Sequence, residues 1–85
     1  MPATYRVYVL QNIRGSFYIG FSGNVPTRVE QHNAGVTRST CNKGPWHLVW
    51  QSEALGVVEA RMLERELERQ KRGNGFYQRT GLERS

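Results

Sequence analysis

Two short stretches decide the fold: Tyr5-Arg6-Val7-Tyr8-Val9-Leu10 and Phe17-Tyr18-Ile19-Gly20-Phe21. Both are dense in β-branched and aromatic residues, which suit a pleated, half-buried backbone. The segment between them, Asn12-Ile13-Arg14-Gly15-Ser16, has the composition of a turn. The pair therefore predicts a β-hairpin. Side chains alternate across a strand, so Val7 and Val9 share one face and Tyr8 and Leu10 the other. Gly20 weakens the strand that holds it, and a glycine there marks a bulge or a close approach by a ligand.

Working outward, Ser22-Gly23-Asn24 ends the second strand. Asn24 is a good helix N-cap and Pro26 is tolerated in a first turn, so a helix is expected from Val25 to Ala34, closed by Gly35. Residues 36–45 read as a polar loop. Trp46 to Gln51 has the composition of a third strand. After a turn at Glu53 to Gly56, a second helix is expected from Val57 to Arg72, stopped by Gly73 and Gly75. A short polar tail from Phe76 to Ser85 follows, with Phe76 and Tyr77 able to fold back on the core. The order β-β-α-β-α, without repeats or linkers, predicts an α+β fold: a small three-stranded antiparallel sheet flanked by helices. One domain over residues 1–85 is expected, with its motif-bearing core at about 5–72 and a tail at 73–85.

Composition narrows the chemistry. A chain of 85 residues buries only about 60% of its unfolded surface and has room for one modest core. Nine aromatic residues spread along it argue against disorder. There is no Asp, so EF-hand loops and paired-aspartate nuclease sites are excluded. A single cysteine, Cys41, excludes an internal disulfide and a cysteine-rich zinc site, and suits a reducing cytoplasm. No Gly-rich loop ends in Gly-Lys-Ser/Thr, so a P-loop is excluded. No apolar run approaches the roughly 20 residues of a membrane span. The opening residues lead straight into the first strand, with no signal peptide expected.

The net charge of +5 is unevenly placed. Arg6, Arg14, Arg28, Arg38 and Lys43 face a single acid, Glu30, in the first fifty residues, whereas residues 57–72 are nearly balanced. Such an excess suits a polyanion, most simply nucleic acid; its plain alternative is solubility.

Functional residues tend to stand where a side chain contradicts its structural position. On the first helix, Arg28 and His32 lie beside the apolar stripe of Val25 and Val29, and four residues apart they are neighbours. On the second, Glu64 lies at the edge of the stripe formed by Val57, Ala60, Leu63 and Leu67. An ion pair with Arg61 would explain Glu64 but is worth only about 0.5 kcal/mol at a surface. Tyr8 and Tyr18 stand on the hairpin. Each residue alone has a structural explanation, namely a snorkelling Arg28, a satisfied core His32 and packed tyrosines. Together they place two phenols, a guanidinium, an imidazole and a carboxylate toward one groove between sheet and helix.

This constellation resembles the GIY-YIG nuclease family, particularly its compact stand-alone members. The resemblance rests on Val7-Tyr8-Val9 in place of the first motif, Tyr18-Ile19-Gly20 as the second, Arg28 ten residues after Tyr18, His32 in an Arg-x-x-x-His pattern, Pro45-Trp46-His47-Leu48-Val49-Trp50, and Glu59-Ala60-Arg61-Met62-Leu63-Glu64. The first motif lacks its Gly and Ile but keeps its tyrosine. The resemblance implies a metal-dependent endonuclease. Glu64 would hold a divalent ion, Mg²⁺ with Mn²⁺ as a substitute; a lone carboxylate suits Mg²⁺, which keeps several waters. Arg28 would brace charge on the phosphate. Tyr8 would position or deprotonate the attacking water, and Tyr18 would support it. His32 would relay a proton or contact phosphate. Gly20 would leave room beside the scissile backbone, and Arg38 and Lys43 would contact phosphates. DNA is expected before RNA, with low sequence specificity or structure-directed cutting. No membrane is expected as a partner, the cytoplasm is the expected location, and a protein partner is left unassigned. The competing readings are a catalytically silent nucleic-acid-binding module on the same fold and a small protein-interaction domain.

Overall fold

A computed structural model describes residues 3–71 and 73–82. Its elements run β1 (Arg6–Gln11), β2 (Phe17–Ser22), α1 (Val25–Asn33), a single 3-10 turn (Arg38–Thr40), β3 (His47–Gln51), α2 (Val57–Arg69) and α3 (Asn74–Thr80). The strands form one antiparallel sheet in the order β2-β1-β3. The fold is therefore the expected α+β sheet with flanking helices.

The hairpin closes as its composition demands. Asn12 Oδ1 accepts from the backbone amides of Arg14 and Ser16, and Gly15 takes the left-handed conformation, φ 84°, that the turn requires. In register, Tyr8 stands opposite Gly20 and Val9 opposite Ile19. At α1, Asn24 Oδ1 accepts from the Thr27 amide, and Gly35 takes φ 79° just past the last turn.

Central strand β1 is buried on both sides, with Val7, Tyr8, Val9 and Leu10 all essentially inaccessible. On one face Val7 and Val9 pack with Phe17, Ile19, Ala60, Leu63, Leu67 and Phe76, which brings in α2 and α3. On the other, Tyr8 and Leu10 pack with Val25 and Trp46, which brings in α1 and the loop after it. Trp46 belongs to this second core: Asn33 brackets its backbone, accepting from its amide at 2.7 Å and donating to its carbonyl at 3.0 Å.

The structure departs from the sequence-based expectation in several places. The expected tail contains α3, whose Phe76 is fully buried against Phe17. Gly73, read as a helix stop, caps the next helix as well, and Gly81 ends it in the left-handed conformation. Helix α2 ends at Arg69; its expected end, Arg72, lies outside the described residues, as do Met1, Pro2 and the chain end 83–85. Val57, assigned to the apolar stripe, is substantially exposed because it opens the helix before the stripe reaches the sheet. The polar loop 36–45 contains the 3-10 turn, whose Thr40 is buried. Among the described residues no helix is long and apolar enough to cross a membrane.

Candidate active site

The α1 face of the hairpin holds four of the five expected polar residues. Tyr8 and Tyr18 project from β1 and β2 with ring centroids 6.4 Å apart. The ring of His32, from the buried side of α1, lies 4.6 Å from that of Tyr18 and 5.9 Å from that of Tyr8. Arg28, one turn earlier on α1, is half-buried and donates from Nη1 to Gln31 Oε1 at 2.8 Å.

Gly20 explains how Tyr8 reaches this position. An added Cβ at Gly20 would lie 2.7 Å from the Tyr8 hydroxyl and 2.9 Å from Cζ. The Tyr8 ring thus lies across the backbone of β2 at its register partner. The space beside Gly20 is filled by this ring, not left for a substrate backbone as the sequence led us to expect. The glycine is there because its neighbour's phenol needs the room.

A buried hydrogen-bond chain runs from this phenol. Tyr8 Oη lies 2.9 Å from His32 Nε2, and His32 Nδ1 lies 2.8 Å from Thr40 Oγ1. Thr40 Oγ1 in turn donates to the Thr37 carbonyl at 3.3 Å. A hydroxyl has one hydrogen, so Thr40 spends it on Thr37 and accepts from His32 Nδ1–H. A neutral imidazole protonated at Nδ1 leaves Nε2 as an acceptor. Tyr8 is then the donor to His32. Thr40 was missed from the sequence, where it is one polar residue in a polar loop.

Electrostatics sharpen the site. Burial pushes the Tyr8 phenol up to about 12, and the charges of Tyr18 and Glu64 push the same way, while Arg28 opposes them by charge and as a hydrogen-bond donor. Burial, then the neighbouring Arg28 charge, lowers the pKa of His32 and keeps it neutral at pH 7. Glu64 comes from the opposite layer: α2 packs on the Val7 and Ile19 face. Burial, then the charge of Glu68, raises its pKa, with Arg61 opposing by charge. Arg61 therefore acts on the Glu64 carboxylate, but burial and Glu68 outweigh it. The charge of Glu64 is nevertheless felt at Tyr8.

Arg38 and Lys43 are exposed, on either side of Thr40. Lys43 lines a cleft that also includes Tyr18.

The GIY-YIG catalytic domain matches this chain over residues 4–77. The chain belongs to the GIY-YIG family. Over 56 residues it is 38% identical to the structure-specific endonuclease subunit SLX1 of Chaetomium globosum, covering 58% of this chain and 17% of that protein. It is 40% identical over 50 residues to the human structure-specific endonuclease subunit SLX1 and 38% over 55 to the Drosophila ananassae homolog. Both matches cover 53% of this chain and 18% of the relative. The chain spans under a fifth of the length of the curated relatives it matches.

GIY-YIG nucleases generally depend on a divalent metal, and the donors here fit a hard, strongly hydrated one. Glu64 offers oxygen and is half-buried, and burial, then the charge of Glu68, raises its pKa, so a bound cation would favour its ionised form. Among the described residues no three of His, Cys, Asp or Glu gather to cage an ion. A cation on Glu64 would be held largely by water and substrate phosphate, as Mg²⁺ prefers.

Proposed function

We propose that this chain hydrolyses nucleic-acid phosphodiesters with a divalent ion, Mg²⁺ or Mn²⁺, held by Glu64. DNA is the substrate before RNA, selected by shape and not by base sequence. The carrying observation is the chain Tyr8–His32–Thr40 beside Arg28. When bound, the metal stabilises charge on the phosphate and on the leaving oxygen.

The protein's own residues supply the proton path. A phenol with a pKa near 12 is only about one part in 10⁵ ionised at pH 7, too little to serve as a standing base. Handing its proton on removes that difficulty. Water's proton passes to Tyr8 Oη as the Tyr8 proton passes to His32 Nε2, and no free phenolate forms. The water oxygen attacks phosphorus, the P–O bond to the leaving group breaks, and the leaving oxygen takes a proton from solvent. The buried imidazolium returns its proton through Tyr8 Oη, whose own proton goes back to solvent. His32, neutral at rest, is competent to accept. Arg28 braces the negative charge that builds on the phosphoryl oxygens, a role its planar fork suits. Tyr18 packs its ring against the imidazole and holds it in place.

Selection by shape is supported by two things. The relatives are, by name, structure-specific endonucleases. The domain described also has little surface left to read bases once a backbone is gripped.

The test is to incubate the protein with labelled single-stranded, duplex and branched DNA, and with RNA, in Mg²⁺, Mn²⁺ or chelator. Metal-dependent cutting, strongest on branched DNA and lost in Glu64→Ala and Arg28→Ala, is expected. Binding without cutting, equal in all variants, would instead establish the silent binding module.

A further inference from the structure

Three cations converge on one cleft beside Tyr18, and no acid lines it among the described residues. The cleft holds about 390 Å³. Arg14 enters it from the hairpin turn, Lys43 from the loop after the 3-10 turn, and Lys71 from just past α2. Lys71 alone has another explanation, since a cation suits a helix C-terminus. Arg14 and Lys43 do not, and their loops are not drawn together by chance. Buried Asn12 ties them: its Oδ1 accepts from the Arg14 amide at 3.1 Å and the Ser16 amide at 2.9 Å, while its Nδ2 donates to the Lys43 carbonyl at 3.0 Å. One side chain thus spends its hydrogen bonds on joining two basic segments. Gathering like charges is unfavourable until an anion joins them.

We propose that this cleft grips the sugar–phosphate backbone of one nucleic-acid strand next to the phosphate that is cut. Arg14, Lys43 and Lys71 are its phosphate contacts, and Asn12 sets their spacing. The proposal rests on the nuclease reading and adds the path of the substrate to it. Tyr18 forms one wall, and its ring is 6.4 Å from that of Tyr8, so the strand leaves the cleft at the reacting groups. Trp46 lines the same cleft but is almost wholly buried, leaving little ring for a base to stack on. The grip is therefore on phosphate and indifferent to base identity.

The experiment is a salt titration of binding. Anisotropy of a labelled single-stranded oligonucleotide is followed across NaCl concentrations, in chelator so that nothing is cut. Each phosphate contact on a single strand contributes about 0.7 to the slope of log K against log salt. The combined variant Arg14→Ala, Lys43→Ala, Lys71→Ala is expected to lower that slope by about 2. The control Arg65→Ala, Arg69→Ala, Arg79→Ala removes equal charge from α2 and α3 and is expected to leave it unchanged. All six side chains are exposed, and thermal melts check that both variants fold. An unchanged slope in the cleft variant, or an equal fall in the control, overturns the proposal. Cutting by the unaltered protein with an unchanged cleft slope removes the cleft and spares the nuclease. A reduced slope with no cutting of any substrate spares the cleft and removes the nuclease. Failure to bind any nucleic acid removes both.

Discussion

The Tyr8 hydroxyl stands 2.9 Å from His32 Nε2, and with the Thr40 hydrogen directed to the Thr37 carbonyl, so that Thr40 accepts from Nδ1–H, Tyr8 is the donor of that bond. A phenol that donates to a neutral imidazole can take a proton from water as it gives one up. The direction of this bond gives the site its chemistry.

Thr40 is therefore a positioning residue. Thr40→Val keeps its shape and removes the acceptor for Nδ1–H. A buried donor left unpaired costs about 1–3 kcal/mol. With the tautomer no longer fixed, the single-turnover cleavage rate is expected to fall about 10- to 100-fold, the scale of that lost hydrogen bond. Thr40→Ser restores the oxygen and is expected to recover most of the rate, which a purely packing role for the threonine methyl would not allow.

Gly20→Ala places a methyl where the Tyr8 phenol lies. Tyr8 is enclosed and has nowhere to retreat. Overpacking of this kind costs about 1–3 kcal/mol. A lowered melting temperature and a strongly reduced cleavage rate are expected. Adding Tyr8→Phe to Gly20→Ala removes the atom nearest the new methyl, so the double variant is expected to melt above Gly20→Ala alone. A melt no higher would show that the clash lies elsewhere.

Glu64 illustrates function opposed to stability. Burial and Glu68 raise its folded pKa above 4.5, so its neutral form is favoured in the folded state. The sign follows: its stabilising contribution is present below the unfolded pKa and is lost as pH rises through the folded one. At pH 7 the ionised carboxylate destabilises the protein. Glu64→Gln is expected to melt at or above the unaltered temperature while losing metal-dependent cleavage. A clear drop in melting temperature would mean that Glu64 holds the fold together.

His32 sets the acid limit. Its folded pKa lies below 6.5, owing to burial and then Arg28. Between 6.5 and that lower value the unfolded chain binds a proton that the folded site refuses, so stability falls as pH falls through this window. Cleavage requires the neutral imidazole, so the acid limb of the rate profile is expected below pH 6.5. Arg28→Gln removes a charge that depresses the imidazole and is expected to move the His32 titration, followed by NMR, upward.

The sheet, α1 and α2 were legible because their signals are local: alternation in the hairpin, Asn24 as a cap, and the Ala60, Leu63, Leu67 spacing. Arg28, His32 and Glu64 could be singled out because each sits beside an apolar stripe, and Tyr8 and Tyr18 because they stand together on the hairpin. Helix α3 was not legible. It is short, and Gly73 and Gly75 at its start read as helix breakers; it is held by Phe76 packing on distant residues of β1, β2 and α2. Thr40 carries no local mark, because its importance lies in a partner on another element, and Asn12, legible as a turn residue, gives no local sign of its bond to Lys43. The purpose of Gly20 was misread, since only the sheet register reveals that the Tyr8 ring crosses it.

The proton path is tested most directly by a double-mutant cycle on single-turnover cleavage of branched DNA in Mg²⁺. Tyr8→Phe and His32→Ala are each expected to slow cleavage by at least about 100-fold, the scale of positioned acid–base catalysis. The double variant is expected to be no slower than the worse single one, since both substitutions interrupt one path. Losses that simply multiply would contradict the account, because Tyr8 and His32 would then be acting separately.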